Sequence, residues 1–248
     1  MQDLKQLVER VRVFSFDIDG TIVDSYSYMR DVIEILLLYI GVPASMLQPV
    51  ADEAVEEWLS REKSGTMDYS KMLDILLEAA AKRGLKLSPD PREFTELLLE
   101  ARVKASQTLP CAIRLLRELK SRGKVVVSVS GGDGVPGMKR RRMDLGELSK
   151  FFDEIIVVPD DAPSRVDALA SLASKYGTSF EEVAHVDDRV EHANSVAQAG
   201  FQSILVKTGM LNPEQSIDSR VVVIENLCQL YEAVAGEEAA KSAKRGRG

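Results

Sequence analysis

The chain has 248 residues, of which 45% are hydrophobic and 29% charged, with a formal net charge of −7. That size suits one large domain or a core carrying a smaller insert, and the acidic balance argues against nucleic-acid binding, which wants a basic surface. Two cysteines, Cys111 and Cys228, are too few for a disulfide framework and lack metal-ligand spacing, so both are expected to pack as small apolar residues. The N-terminus is charged throughout without an apolar h-region, and the longest apolar run (35–40) is far too short to span a bilayer. No membrane association is expected, and a reducing cytoplasm is the default.

After a short opening helix, Val11–Asp17 reads as an apolar strand that ends on two carboxylates, Asp17 and Asp19. Alternate residues of a strand share a face, so these two acids point the same way. They repel each other unless a cation sits between them or one keeps its proton. From about Tyr26 to Ser106 the apolar spacing is helical, with stretches near 28–37, 51–60, 68–83 and 92–104. These are punctuated by Gly41-Val42-Pro43, Ser64-Gly65 and Ser88-Pro89-Asp90-Pro91. Trp58 and the leucine stripes read as the core of this helical insert.

From Pro110 onward helix and strand alternate. Helices are predicted near 110–122, 137–149, 164–176 and 190–199, and strands at 124–130, 154–158, 182–187, 202–206 and near 221–224, before a closing helix. Continuous β-branched runs between helices predict a parallel sheet covered on both faces. The fold class is therefore α/β: a Rossmann-like parallel sheet over 1–25 and 107–235 with an all-helical insert at 26–106. The Gly-rich, charged stretch 236–248 is expected to be a disordered tail. Within the second part, Lys139-Arg140-Arg141-Arg142 reads most simply as an exposed helix face. His185 reads as a packed core histidine and His192 as a helix-surface residue, neither with a metal-ligand partner.

In such sheets ligands bind outside the carboxyl ends of the strands. Those ends carry Asp17 and Asp19, then Ser130 with Gly131-Gly132, a polar loop at 160–165, and Asp187-Asp188. Acids at separate strand ends form an all-oxygen site that selects Mg²⁺ over softer metals.

These segments resemble a known family. Phe-Asp-Ile-Asp-Gly-Thr-Ile-Val-Asp-Ser is similar to the first motif (DxDGT/V) of the haloacid dehalogenase superfamily. Val-Asp-Asp-Arg-Val-Glu-His-Ala-Asn-Ser-Val-Ala-Gln-Ala-Gly resembles its fourth, in the form with two adjacent acids, and Ser130 stands at its second. The resemblance implies a helical cap over the site and a set of roles. Asp17 attacks the phosphorus of a phosphate ester, and Asp19 protonates the leaving oxygen and then activates water. Asp17, the Asp19 carbonyl and Asp188 hold Mg²⁺, with Asp187 as an auxiliary acid. Ser130 and the Gly131 N–H bind the phosphoryl oxygens. Most active members carry a Lys before a Pro in the third motif, where this chain reads Ala162-Pro163. Arg165, one turn into the same helix, and Lys139 are the candidate replacement cations.

The resemblance implies a Mg²⁺-dependent phosphoric-monoester hydrolase acting on a small phosphorylated metabolite, as a monomer or homodimer. Two alternatives are a phosphosugar mutase of the same family and a non-catalytic binding module, the latter because of Ala162. Asp19 argues against dehalogenase chemistry. Tyr26, Tyr28, Arg30, Arg61 and Lys63 are candidate substrate contacts from the insert.

Overall fold

The structure, a computed structural model, describes residues 4–209 and 215–236; the predicted tail beyond Gly236 lies outside the described residues. The elements run α1 (Leu4–Arg10), β1 (Val13–Phe16), β2 (Val23–Asp24), α2 (Met29–Tyr39), α3 (Ala44–Lys63), α4 (Met72–Ala81) and α5 (Pro91–Ala105). They continue with β3 (Gln107–Thr108), α6 (Ala112–Ser121), β4 (Val125–Gly131), α7 (Met138–Leu145), β5 (Glu154–Val158) and α8 (Arg165–Tyr176). The chain closes with β6 (Val183–Asp187), α9 (Val190–Gln198), β7 (Gln202–Val206), β8 (Val222–Ile224) and α10 (Leu227–Ala235). Among the described residues no helix is long and apolar enough to cross a membrane.

Six strands form one parallel sheet in the order β5-β4-β1-β6-β7-β8. All four residues of β1 are buried, as a strand covered on both faces requires. The chain fills one side of β1 with β4 and β5, then returns to fill the other with β6, β7 and β8. The carboxyl ends of β1, β4 and β6 therefore flank a topological switch point, the place where open α/β sheets bind ligands. One face packs Val13, Val127, Val129 and Val183 against Ala168, Leu169 and Leu172 of α8. That helix starts at an N-cap serine, Ser164, whose hydroxyl accepts the Asp167 N–H, and stops at Gly177 in the left-handed region (φ 60°). The short β2 and β3 pair as a separate two-stranded sheet, which two residues apiece are too few to signal by alternation.

The chain divides into two compact units. The sheet unit comprises residues up to Asp24, Thr108–Gly131 and the chain from Leu148; the helical unit comprises Ser25–Gln107 and Gly132–Glu147. The sequence boundaries put 132–147 with the sheet instead. An ion cluster explains the difference. Asp133, 4% exposed, takes Arg102 of α5 (3.0 Å) together with Lys139 (3.2 Å) and Arg142 (3.0 Å) of α7. The Arg102 guanidinium lies 3.6 Å over the Tyr69 ring, and the Tyr69 N–H donates to the Asp133 carbonyl. The Tyr69 hydroxyl in turn donates to Glu62 and accepts from Trp58 Nε1.

The 139–142 run is thus not an exposed face. Lys139 and Arg142 are buried, and Arg141 reaches Glu96 at the surface. The buried Asp133, in the loop just before α7, decides which of these cations go inside, and its own burial beside Arg102 of α5 is set by the fold rather than by the local pattern.

The expectation for the cysteines is also overturned: Cys111 and Cys228 form a disulfide. They precede and open α6 and α10, two helices that pack together in the sheet unit. With a sequence separation of 117, that proximity is a product of the tertiary fold.

Candidate active site

The site is built at the carboxyl ends of β1, β4 and β6. Just past β1, the Asp17 N–H donates to the Val186 carbonyl of β6, which locks the two strand ends together. The carbonyl of Ile18 then accepts from the N–H groups of Thr21, Ile22 and Val23. This single turn, with Gly20 at φ 79°, leaves Ile18 buried and Asp19 partly exposed. Gly20 is needed there because a side chain would be strained in that conformation. The Gly20 carbonyl accepts a 2.6 Å hydrogen bond from Thr208 Oγ1, in the loop after β7.

Of the two candidate replacement cations, Arg165, the first residue of α8, is the one that reaches Asp17. Its Nη2 donates to Asp17 Oδ1 at 2.9 Å, and a Cβ built on Gly131 would sit 3.7 Å from the same nitrogen. The guanidinium therefore lies between the Asp17 carboxylate and the end of β4. Burial opposes its charge, but Asp187, Asp17 and Asp188 outweigh that and hold it firmly cationic. Ala162, where the lysine would stand, packs against the apolar cluster of α8 and the sheet. Lys139, the other candidate cation, belongs to the Asp133 cluster of the helical unit.

The two acids after β6 have different surroundings. Asp187 is fully buried, and its carboxylate accepts the Arg189 N–H (2.9 Å). It also lies 3.1 Å from His185 Nε2, 3.2 Å from His192 Nδ1 and 3.3 Å from Arg165 Nε. Burial alone would raise its pKa, but His192, Arg165 and the hydrogen bonds from both histidines hold it well below the usual carboxylate range. Such a carboxylate orients cations and rings around it. Asp188 is 1% exposed; its carboxylate accepts weakly from Thr21 Oγ1 (3.4 Å) and fills the space beside Gly209. A Cβ on Gly209 would fall 1.6 Å from Asp188 Oδ2.

Ser130, at the end of β4, is fully buried, and its hydroxyl has no hydrogen-bond partner. A buried hydroxyl left unsatisfied is costly unless a ligand completes it. Among the described residues no three Asp, Glu, His or Cys side chains converge as a full metal cage. Mg²⁺ does not need one: it binds through one or two carboxylates and keeps waters and substrate oxygens. The Asp17 and Asp188 carboxylates and the Asp19 carbonyl are oxygen donors of the type Mg²⁺ takes, and the bare Gly209 leaves the space that the Asp188 carboxylate occupies.

Sequence reasoning missed the roles of both histidines. His185 is buried, but it bridges Ser15 (2.9 Å) to Asp187; His192 is tied to Asp187 and Arg165. An apolar strand around one and an exposed helix around the other hid the shared carboxylate. Thr208 and Gly209 carried no signal, since both act on residues distant in the chain. Among the insert's candidate contacts, Arg30 pairs with Glu34 and Asp52, and Arg61 with Glu57. Tyr28 instead lines an apolar groove of about 400 Å³ between α2 and α5.

Acids, a buried cation and an unsatisfied hydroxyl thus meet at the switch point of a parallel α/β sheet, where such folds bind ligands. The family model for haloacid dehalogenase-like hydrolases matches residues 11–200, and the chain belongs to that family. Similar solved structures include the L-2-haloacid dehalogenase of Xanthobacter autotrophicus, 20% identical with a TM-score of 0.60, covering 91% of this chain and 99% of that one. Another is a predicted phosphoglycolate phosphatase from Haemophilus somnus, 15% identical with a TM-score of 0.60, covering 96% and 99%. A third is a HAD-type hydrolase, YfnB, from Bacillus subtilis bound to magnesium, 18% identical with a TM-score of 0.66, covering 91% and 99%. No curated relative matches the chain.

Proposed function

We propose that the protein is a Mg²⁺-dependent phosphoric-monoester hydrolase working through a phosphorylated Asp17. The observation that carries this reading is the contact of Arg165 Nη2 with Asp17 Oδ1 in a site that also holds Asp19. An anionic carboxylate attacking an anionic phosphate needs fixed positive charge beside it, and Arg165 supplies it. Asp17 attacks phosphorus as the ester oxygen departs. Asp19 gives that oxygen its proton and then takes one from the water that cleaves the aspartyl phosphate. The Ser130 hydroxyl and the Gly131 N–H complete the hydrogen bonding of the phosphoryl oxygens. Asp17, the Asp19 carbonyl and Asp188 would hold Mg²⁺, which supplies further charge neutralisation on the transferring group.

Dehalogenation is the competing reaction, since dehalogenases are among the structural neighbours. Halide leaves as the anion of a strong acid and needs no proton donor, whereas an alkoxide does. Asp19, two residues beyond the nucleophile, therefore favours the ester. The helical unit is proposed to act as the substrate-selecting cap, with small phosphorylated metabolites as the substrate class. Phosphate release from p-nitrophenyl phosphate with Mg²⁺, beside halide release from L-2-chloropropionate, tests the assignment. Asp17→Asn should abolish phosphate release. Equal hydrolysis by both forms, or halide release alone, rejects the proposal.

A further inference from the structure

We propose that His192 is a positioning residue that aims the Arg165 guanidinium at Asp17; the inference rests on the phosphatase reading above. Its imidazole stands between two partners. Nδ1 is 3.2 Å from both oxygens of Asp187, and Nε2 is 3.4 Å from Arg165 Nη1. Arginine only donates, so Nε2 must accept, which places the ring proton on Nδ1, where it goes to Asp187. The other partners of Asp187 agree with this polarity. His185 Nε2 donates to it, while its Nδ1 accepts from Ser15, and the Arg189 N–H fixes Oδ1.

The consequence falls on Arg165, whose side chain is long, rotatable and planar. Its Nε faces Asp187 at 3.3 Å, a charge contact without hydrogen-bond alignment. That contact alone leaves the fork free to turn. His192 on Nη1 is the second anchor, and with both in place Nη2 is left directed at Asp17 (2.9 Å) beside Gly131. Unlike a packing residue, His192 keeps 28% of its side chain exposed and makes polar contacts to this network. A lysine at position 162 would need no such bracket; an arginine from the helix start does.

The test is a double-mutant cycle on the full chain with p-nitrophenyl phosphate and Mg²⁺. His192→Leu should lower kcat by about tenfold or more, the scale on which loss of an orienting partner acts. In an Arg165→Ala background the same change should have no further effect. His192→Gln, whose amide offers one donor and one acceptor, should recover most of the loss. A loss from His192→Leu that persists in full without Arg165 overturns the proposal while leaving the phosphatase intact. A wild type no faster than Asp17→Asn overturns the phosphatase reading, and the bracket with it.

Discussion

Asp187 and Asp188 are adjacent, yet the fold gives them different surroundings. Asp187 is surrounded by donors, while Asp188 rests against a glycine. Gly209 lies outside the left-handed region, so alanine suits its backbone, and its Cβ would collide with the Asp188 side chain. Gly209→Ala should therefore weaken Mg²⁺ binding by about tenfold or more, read as loss of the Mg²⁺-dependent rise in Tm. An unchanged Mg²⁺ response would separate Asp188 from the metal. At this scale, placement within a short stretch was legible in the sequence: two acids at one strand end, two at another, a cation at the start of a helix. Gly209, Thr208, His185 and His192 were not, because each acquires its meaning from a partner that only the folded sheet brings near.

Elements were read well where their periodicity was long, and poorly where charge decided burial. Strands β1 and β4 to β8 fall where short, largely apolar runs predict them, because both faces of a parallel sheet are covered. Helix α7 defeats the pattern because Asp133 draws Lys139 and Arg142 inward. Asp133→Asn removes the carboxylate shared by three buried cations and should cost about 3–5 kcal/mol, measured by urea unfolding. Arg141→Ala, which breaks a half-exposed pair with Glu96, should cost under about 1 kcal/mol.

A second contact, between β5 and α8, predicts a pH effect. The Tyr176 hydroxyl donates to Glu154; partial burial and that carboxylate push its pKa up to about 12 from 10.0. The folded state thus favours the protonated phenol. Its contribution is complete below pH 10 and is lost as the pH rises through about 12. Tyr176→Phe should flatten the fall in stability across that window, followed by unfolding at fixed temperature.

On the scale of the whole chain, the Cys111–Cys228 bond is the largest departure from the sequence reading. Two cysteines so far apart looked independent, and only the packing of α6 on α10 makes them a pair. Closing a loop of over a hundred residues stabilises by about 4–5 kcal/mol in the chain-entropy picture. Cys111→Ser should lower the Tm by several degrees, and a dithiol reductant should lower the wild-type Tm without affecting the variant.

The ion cluster at Asp133 also limits how the helical unit can be exchanged. It is assembled from two stretches of chain, Ser25–Gln107 and Gly132–Glu147, so it is not a cassette. A chimera that grafts only the longer stretch onto a relative would import Arg102 and leave behind the acid it is built around. A workable transplant carries both pieces, and natural recombination at the first pair of boundaries alone would be selected against for the same reason.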